Sequence, residues 1–292
     1  MQNYSKKDKI GMILFLLPII TLFIAFFIYP IIFLITTSFT DWDGLSKASF
    51  IGFANYKKLF SDPIFIGAIW HNLGWVLAQG FIQVPLAILV AVQLSKKPKG
   101  WKFLRTVYYF PNVVSVVAMS MMWLAVFNAQ YGVLNALLDL VGLGSLKRNW
   151  LGDLHSAYPA LLLYGVFYIG YFMIIILADI ASIPQTYYEA ASIDGATKFQ
   201  QDIKITLPLI KGSISTCMTI AMCYGLRQFE QTYVMTNGGP ANKTMVIVLY
   251  LYNKIGDFRY GLANASGVIL LIMGVIVIAS IRKVFTVDKY EM

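Results

Sequence analysis

Six stretches of the chain are apolar and about as long as the roughly 20 residues that a helix needs to cross the hydrocarbon core of a bilayer. They lie at about 10–36, 72–95, 106–127, 157–182, 212–235 and 263–281. Lipid offers backbone polar groups no hydrogen-bond partner, so each stretch is expected to be a helix. Only 13% of the residues are charged, whereas a soluble domain carries about 25%. The sequence therefore predicts an all-α, polytopic membrane protein with six transmembrane helices in a single domain, residues 1–292.

The distribution of basic residues predicts how the chain is oriented in the membrane. The net charge is +9, and with the N-terminus placed inside, fourteen Lys and Arg residues fall on the inner segments and eight on the outer loops. Cytoplasmic loops carry such an excess of positive charge. Both termini are therefore expected in the cytoplasm, and the basic balance reports orientation and implies no nucleic-acid partner.

A more polar segment, residues 184–211, separates the fourth and fifth apolar stretches. Pro184 suits the first position of a helix, where its missing N–H costs nothing. Gly195 suits a turn because it tolerates a positive φ angle, and Pro208 marks where a second short helix stops. The segment is predicted to be a helix-turn-helix with apolar anchors and a polar rim, which suits docking into a groove. An ordinary interfacial loop is the alternative that the pattern alone leaves open.

The same segment resembles the "EAA" motif of ABC importer permeases. The matching residues, at that family's spacing, are Glu189, Ala190, Ala191, Asp194, Gly195, Ile205, Leu207 and Pro208. The resemblance implies a cytoplasmic coupling loop that docks the permease onto its ATPase. In this interpretation Glu189 makes polar contacts in the ATPase groove, Gly195 forms the tight turn, and Leu207-Pro208 provides the anchoring helix end.

The resemblance covers nearly the whole chain. Its other parts are Phe50–Tyr56, Leu59–Pro63, Asn72, Arg105-Thr106, Phe110-Pro111, Trp123, Asn149-Trp150-Leu151, Ala157, Thr236–Pro240, Tyr260-Gly261, Ala263 and Ala265. Together these resemble the maltose, glycerol-3-phosphate and multiple-sugar group of type I ABC importers, in particular the first of its two permeases.

That group implies a set of partners and a location. The partners are a second permease subunit, two ATPase subunits, an extracytoplasmic solute-binding protein and a carbohydrate solute, and the location is the bacterial cytoplasmic membrane. The chain itself is then expected to be no enzyme and to hold no cofactor, since ATP and Mg²⁺ belong to the partner ATPase.

Polar and aromatic residues in two spans are candidates for a solute path. They are Tyr164, Phe167, Tyr168 and Tyr171 in the fourth stretch, and Tyr224, Arg227, Gln228, Glu230 and Gln231 in the fifth. Aromatic rings with amide and hydroxyl groups suit a sugar, although aromatic stripes at helical spacing also pack helices together. Arg227 and Glu230, at i and i+3, are predicted to form an ion pair. The alternative is that Arg227 binds the carboxylate or phosphate of an acidic sugar.

The sequence lacks the signatures of catalytic and metal sites. His71 and His155 lie far apart with no Cys or carboxylate cluster around them, so no metal site is expected. No phosphate-binding Gly-rich loop or hydrolase motif is present. The remaining alternative is a self-sufficient secondary transporter or channel, although such proteins more often show broken helices or repeated halves, and no internal repeat is visible here.

Overall fold

A computed structural model describes residues 6–284, with the side chains of residues 6–10 and 13 left undescribed. The described part is helical, and its extended structure is limited to one antiparallel bridge between Thr40 and Phe50. The predicted cytoplasmic placement of both termini falls partly on residues 1–5 and 285–292, which lie outside this range. That placement stays a prediction.

Most helices follow one another with short connections, and the longer connections are residues 38–53, 141–156 and 236–246. The first half comprises α1 (Lys6–Phe23), α2 (Tyr29–Thr37), α3 (Ala54–Ser61), α4 (Pro63–Ala78), α5 (Val84–Ser95), α6 (Trp101–Tyr109), α7 (Val116–Val126) and α8 (Val133–Leu140). The second half comprises α9 (Ala157–Val166), α10 (Gly170–Ser182), α11 (Gln185–Ile193), α12 (Lys198–Gln201), α13 (Leu207–Leu209), α14 (Lys211–Leu226), α15 (Glu230–Met235), α16 (Ile247–Gly256) and α17 (Tyr260–Val284). Five-residue π-helical turns, Ile24–Ile28, Gln79–Gln83 and Asp202–Thr206, join α1 to α2, α4 to α5 and α12 to α13. Short 3₁₀ turns span Phe110–Asn112 and Gly144–Leu146.

Four helical segments are long and apolar enough to cross a membrane. They are Leu14–Thr37, Pro63–Ser95, Ala157–Ser182 and Tyr260–Val284. The second begins nine residues before the predicted 72, because Asp62 caps its first turn by accepting a hydrogen bond from the Ile64 N–H and Pro63 follows at the first helical position.

Two further segments have the required composition but are sharply bent. Trp101–Asn112 and Val116–Val126 meet at 101°, and Lys198–Leu209 and Lys211–Leu226 meet at 69°. The prediction of one straight helix over 106–127 is therefore wrong, since Pro111 lies at a break that a proline favours. The prediction of one helix over 212–235 is also wrong, because α14 ends at Leu226 and α15 starts at Glu230. The described residues thus hold between four and six spans.

The described chain divides into two compact units. The first consists, within the described residues, of 6–61 and 251–269. Within it, the buried Asn55 amide donates to the Ser38 and Thr40 carbonyls at 2.9 and 2.7 Å. The Asn264 amide donates to the Thr37 hydroxyl at 2.6 Å. These bonds tie the stretch that follows α2 to α3 and α17.

The second unit, described residues 62–250 and 270–284, holds the larger core. Its buried residues come mainly from α5, α10 and α14, with large side chains such as Met173 and Ile176. Ala87, Ala91 and Ala221 are completely buried among them. Small residues at such contacts let membrane helices approach closely, which is the main source of packing energy where lipid is as apolar as the core.

Candidate functional site

A cavity of about 490 Å³ lies within the second unit. Most of the predicted path residues line it: Tyr164, Tyr168, Tyr171, Tyr224, Arg227, Gln228, Glu230 and Gln231. Phe167 does not; its ring is exposed and packs against Trp123 with centroids 5.4 Å apart. The structure therefore brings together all the predicted path residues except Phe167, and their role in solute passage stays a prediction.

Hydroxyl groups form a small network on one wall of the cavity. The Tyr164 and Tyr168 hydroxyls lie 2.9 Å apart, and the Ser120 hydroxyl donates to that of Tyr164 at 3.4 Å. Tyr164 is held edge-on to Trp123, with ring centroids 5.9 Å apart. The wall thus combines rigid aromatic faces with hydroxyls that can both donate and accept hydrogen bonds.

Several cavity residues were missed by sequence reasoning, among them Gln79, Gln83 and Asn112. Gln79 and Gln83 lie four residues apart in a mainly apolar span, and this spacing was the signal that could have found the two glutamines. The Oε1 atoms of both glutamines and the Nδ2 atom of Asn112 are buried without a hydrogen-bond partner among the described residues. Orphaned buried polar atoms are rare, and two acceptors and one donor beside one cavity indicate a polar occupant.

Arg227 and Glu230 both line the cavity, but they form no salt bridge with each other. The salt bridges of the described residues are Lys96–Asp202, Lys147–Asp139 and Lys254–Asp257. The predicted i, i+3 pairing is wrong because the helix is broken between the two residues, with Phe229 in an extended-φ conformation (φ −141°, ψ −64°). Arg227 and Glu230 therefore line the cavity as two separate charged side chains.

The segment 184–211 is helix-turn-helix, as the sequence predicts. Helix α11 runs from Gln185, so Pro184 precedes the helix by one residue instead of occupying its first position. Gly195 adopts φ +77°, and a capping box of Thr197 and Gln200 starts α12. The second helical part continues through the π turn to Leu209, so Pro208 lies inside α13 instead of ending it.

Internal hydrogen bonds hold the two arms of this segment together. The buried Gln201 amide donates to the Ser192 hydroxyl at 2.9 Å, and the Tyr188 hydroxyl lies 3.0 Å from that of Thr206. A salt bridge of 2.6 Å joins Lys96, just after α5, to Asp202 in the π turn. The segment is therefore a preformed unit tied to the end of α5.

The resembling residues of this segment occupy different surroundings. Glu189, Ala190, Asp194, Gly195 and Pro208 are exposed, whereas Ala191, Ile205 and Leu207 are half-buried. Large apolar side chains are exposed beside them: Tyr187, Ile193, Phe199 and Ile203. Ile193 is 87% exposed, and such an apolar patch with a polar rim is typical of a docking surface.

Comparison with known proteins identifies the family. The profile described as "Binding-protein-dependent transport system inner membrane component" matches residues 83–286. The chain belongs to this family. It is a membrane transporter subunit, and the match spans both the cavity and the segment 184–211.

Curated relatives and solved structures agree with this assignment. The multiple sugar-binding transport system permease MsmF of Streptococcus mutans is 36% identical over 95% of each chain. A solved bacterial ABC transporter that imports the acidic polysaccharide alginate is 26% identical, with a TM-score of 0.83 over 97% of each chain. A second alginate transporter structure, in complex with a periplasmic protein that holds an alginate pentasaccharide, gives a TM-score of 0.82 and 26% identity over 95% of this chain and 94% of that one. Other relatives are named for uptake of diacetylchitobiose, trehalose and maltose, or arabinooligosaccharides.

No group of three or more His, Cys, Asp or Glu side chains in the described part of the chain is arranged to hold a metal ion.

Proposed function

We propose that this chain is one of two permease subunits of an ATP-driven importer that moves a carbohydrate across the bacterial cytoplasmic membrane. The observation that carries the proposal is the cavity, where tyrosine rings and hydroxyls alternate with amides in a chain of the binding-protein-dependent transport family. Sugar C–H surfaces stack on aromatic faces, while sugar hydroxyls bond to amides and phenols.

The size and polarity of the cavity support a sugar as its occupant. Its volume of about 490 Å³ lies within the roughly 300–1,000 Å³ of sites for small molecules. The orphaned atoms of Gln79, Gln83 and Asn112 offer hydrogen bonds that a polyhydroxylated solute satisfies. A purely apolar solute would leave those buried atoms unpaired at a cost of about 1–3 kcal/mol each.

Segment 184–211 is the proposed cytoplasmic coupling loop. Its exposed apolar patch fits a groove on an ATPase subunit, with Glu189 at the polar rim and the Gly195 turn between the two arms. Each bent helix pair is proposed to count as one span, which gives six spans and places both termini in the cytoplasm. Residues 1–292 then form a single permease domain.

The proposed assembly contains this chain, a second permease, two ATPase subunits that hold ATP and Mg²⁺, and an extracytoplasmic binding protein. The alginate transporter solved with its periplasmic protein supports the last of these partners. The Gly238-Gly239-Pro240 resemblance is the basis for placing this chain as the first permease of the pair.

The experiment is purification from native membranes through a C-terminal tag, followed by uptake into proteoliposomes. Co-purification of an ATPase and a second permease in equimolar amounts supports the importer. Uptake is then assayed with ATP inside, the cognate binding protein outside, and a panel of labelled maltose, trehalose, diacetylchitobiose, arabinooligosaccharides and alginate oligosaccharides. A chain that purifies alone and carries sugar on a proton gradient without ATP is instead a secondary transporter.

Arg227 at the cavity favours a second candidate within this function, an acidic sugar such as a uronate or a sugar phosphate. A planar guanidinium binds carboxylate or phosphate through two parallel hydrogen bonds. Arg227→Gln then abolishes uptake of alginate oligosaccharides and leaves neutral sugars of the panel unaffected. Equal loss for neutral and acidic sugars assigns Arg227 no part in selecting charge.

A further inference from the structure

The helices that line the cavity change where they meet it. Segment α4–α5 continues through the π turn Gln79–Gln83, whereas residues 110–115 separate α6 from α7, residues 167–169 separate α9 from α10, and residues 227–229 separate α14 from α15. Each interruption contributes side chains to the cavity wall. Non-helical backbone at membrane depth is tolerated only where protein or a water-filled cavity satisfies it, so the carbonyls at these breaks need partners.

Gln83 supplies partners at the break between α9 and α10. Its amide nitrogen donates to the Gly165 carbonyl at 3.1 Å and to the Tyr168 carbonyl at 3.0 Å. Both partners are carbonyls, so the orientation of this amide is unambiguous. Gln83 is 3% exposed, and the residues that it holds flank the aromatic wall of the cavity.

Asn72 supplies partners at the break between α14 and α15. Its amide nitrogen donates to the Leu226 and Gly225 carbonyls at 3.0 and 3.3 Å, and its Oδ1 accepts from the Ile247 N–H at 2.8 Å. Asn72 is completely buried. Helices α4 and α14 approach each other closely here because Gly225 has no Cβ atom. A Cβ atom built on Gly225 would lie 2.8 Å from the backbone of Val76.

We propose that Asn72 and Gln83, two buried amides on the segment α4–α5, are positioning residues that hold the broken ends of two neighbouring spans at the solute cavity. Asn72 and Gln83 are eleven residues apart, which is about three helical turns. A single helical segment, called the rod below, therefore carries both of the amides that bind carbonyls at the breaks. Through Gln83 the rod fixes Tyr168, and through Asn72 it fixes the stretch that presents Arg227 and Gln228. The identity of the solute in the cavity rests on the proposed function. The hydrogen bonds that Asn72 and Gln83 make do not depend on that function.

The first test is hydrogen–deuterium exchange on the purified assembly with no solute added. Gln83→Met removes both donors without burying a charge, and Asn72→Leu does the same at the other break. We expect at least tenfold faster exchange at residues 166–170 in Gln83→Met, and at 225–230 and Ile247 in Asn72→Leu. Each variant is the control for the other, and Gln93→Met, on the exposed face of α5, is the control for both.

Unchanged exchange at the matching break, or equal acceleration at both breaks in either variant, overturns the proposal. If Gln83→Met does not accumulate, Gln83→Asn keeps the amide on a shorter side chain and is expected to give intermediate exchange at 166–170 alone. Asn72→Leu tests the second break independently in either case.

The second test is the half-saturation concentration for uptake of whichever labelled sugar of the panel is transported. If Gln83 acts by positioning Tyr168, Gln83→Met and Tyr168→Phe each raise this concentration severalfold and the double variant is no worse than the more severe single one. Multiplying effects show that Gln83 acts on uptake by a route other than Tyr168, such as its own Oε1 atom at the cavity, and overturn its positioning role. A different outcome is also informative. If Tyr168→Phe leaves the half-saturation concentration unchanged while Gln83→Met accelerates exchange only at residues 166–170, the solute path is refuted and the positioning of this break by Gln83 is supported.

Discussion

The hydroxyl groups of Tyr164 and Tyr168 lie 2.9 Å apart on the cavity wall, and a sugar hydroxyl can exchange with either as donor or acceptor. Tyr168→Phe removes one hydroxyl and keeps the ring. A hydrogen bond contributes about 0.5–1.5 kcal/mol net, so the half-saturation concentration for sugar uptake should rise about 2- to 12-fold. Initial-rate uptake in proteoliposomes measures it, with Tyr131→Phe, exposed and away from the cavity, as the matched control. An unchanged concentration in Tyr168→Phe excludes that hydroxyl from the site.

The separate placement of Arg227 and Glu230 makes a second prediction. Since no salt bridge joins them, Arg227→Gln and Glu230→Gln should act independently on uptake. The double variant is expected to match the product of the single effects within about twofold, as for uncoupled sites. Uptake rates of the three variants check this. Partial rescue of Arg227→Gln by Glu230→Gln would show that the two charges pair in the working transporter.

At this scale the sequence identifies tyrosines and charges well because such residues are rare in an apolar span. It does not identify Gln79, Gln83 or Asn112 as members of the same site. The four-residue spacing of Gln79 and Gln83 places them on one helix face, which Asn72 shares seven residues before Gln79, and Asn112 follows Pro111 in a bend. Their convergence depends on how the spans pack, which the spacing along the chain does not encode.

Among the elements, the segment 184–211 depends on one backbone conformation. Gly195 has φ +77° with open space around it, so a side chain there is strained, while Gly212 in α14 has equal space and no such angle. Gly195→Val should cost about 1–3 kcal/mol locally and misalign the two arms. We expect sugar uptake per ATP hydrolysed to fall at least tenfold, with the chain still inserted in the membrane. Gly212→Val is the control, and normal coupling in Gly195→Val would remove the segment from the coupling role.

The salt bridge between Lys96 and Asp202 joins this segment to the end of α5. In the proposed coupling role of the segment, this contact carries its motion to the span that holds Gln83. Asp202→Lys should lower the uptake rate severalfold, and adding Lys96→Asp should restore part of it by reversing the pair. The exposed Lys147–Asp139 pair, with the same 2.6 Å separation, serves as the control, since reversing it should leave uptake unchanged. No restoration in the reversed Lys96–Asp202 pair would contradict a coupling role.

Helix positions are predictable from apolar length, and the breaks in them are not. Residues 167–169 and 227–229 contain neither Gly nor Pro, and the flanking Gly165, Gly170 and Gly225 are weak signals because Gly is common within membrane helices. The carbonyls released at those breaks are bound by Gln83 and Asn72, which lie more than eighty residues away in the chain. The bend after α6 does have a local signal, because Pro111 lies within the 3₁₀ turn.

Over the whole molecule, much of the apolar surface has no covering within the chain. None of the most apolar part of Leu14–Thr37 is buried, and Phe15 is 84% exposed. Such a surface is stable against lipid tails or against another apolar subunit. The composition predicts this membrane setting directly, whereas the partners that share it follow from family membership and from the docking patch on segment 184–211.

The central claim, that sugar passes through the cavity lined by Tyr168 and Arg227, is tested most directly by solute protection of a cysteine. Tyr171, which is exposed and lines the cavity, is replaced in Tyr171→Cys after the native thiols are removed as Cys217→Ala and Cys223→Ala. The labelling rate with a charged methanethiosulfonate reagent is measured in the assembled transporter with its binding protein and a non-hydrolysable ATP analogue, with and without the transported sugar. We predict at least fivefold slower labelling of Tyr171→Cys with sugar and no change for Tyr131→Cys. Equal labelling of Tyr171→Cys with and without sugar would contradict the account.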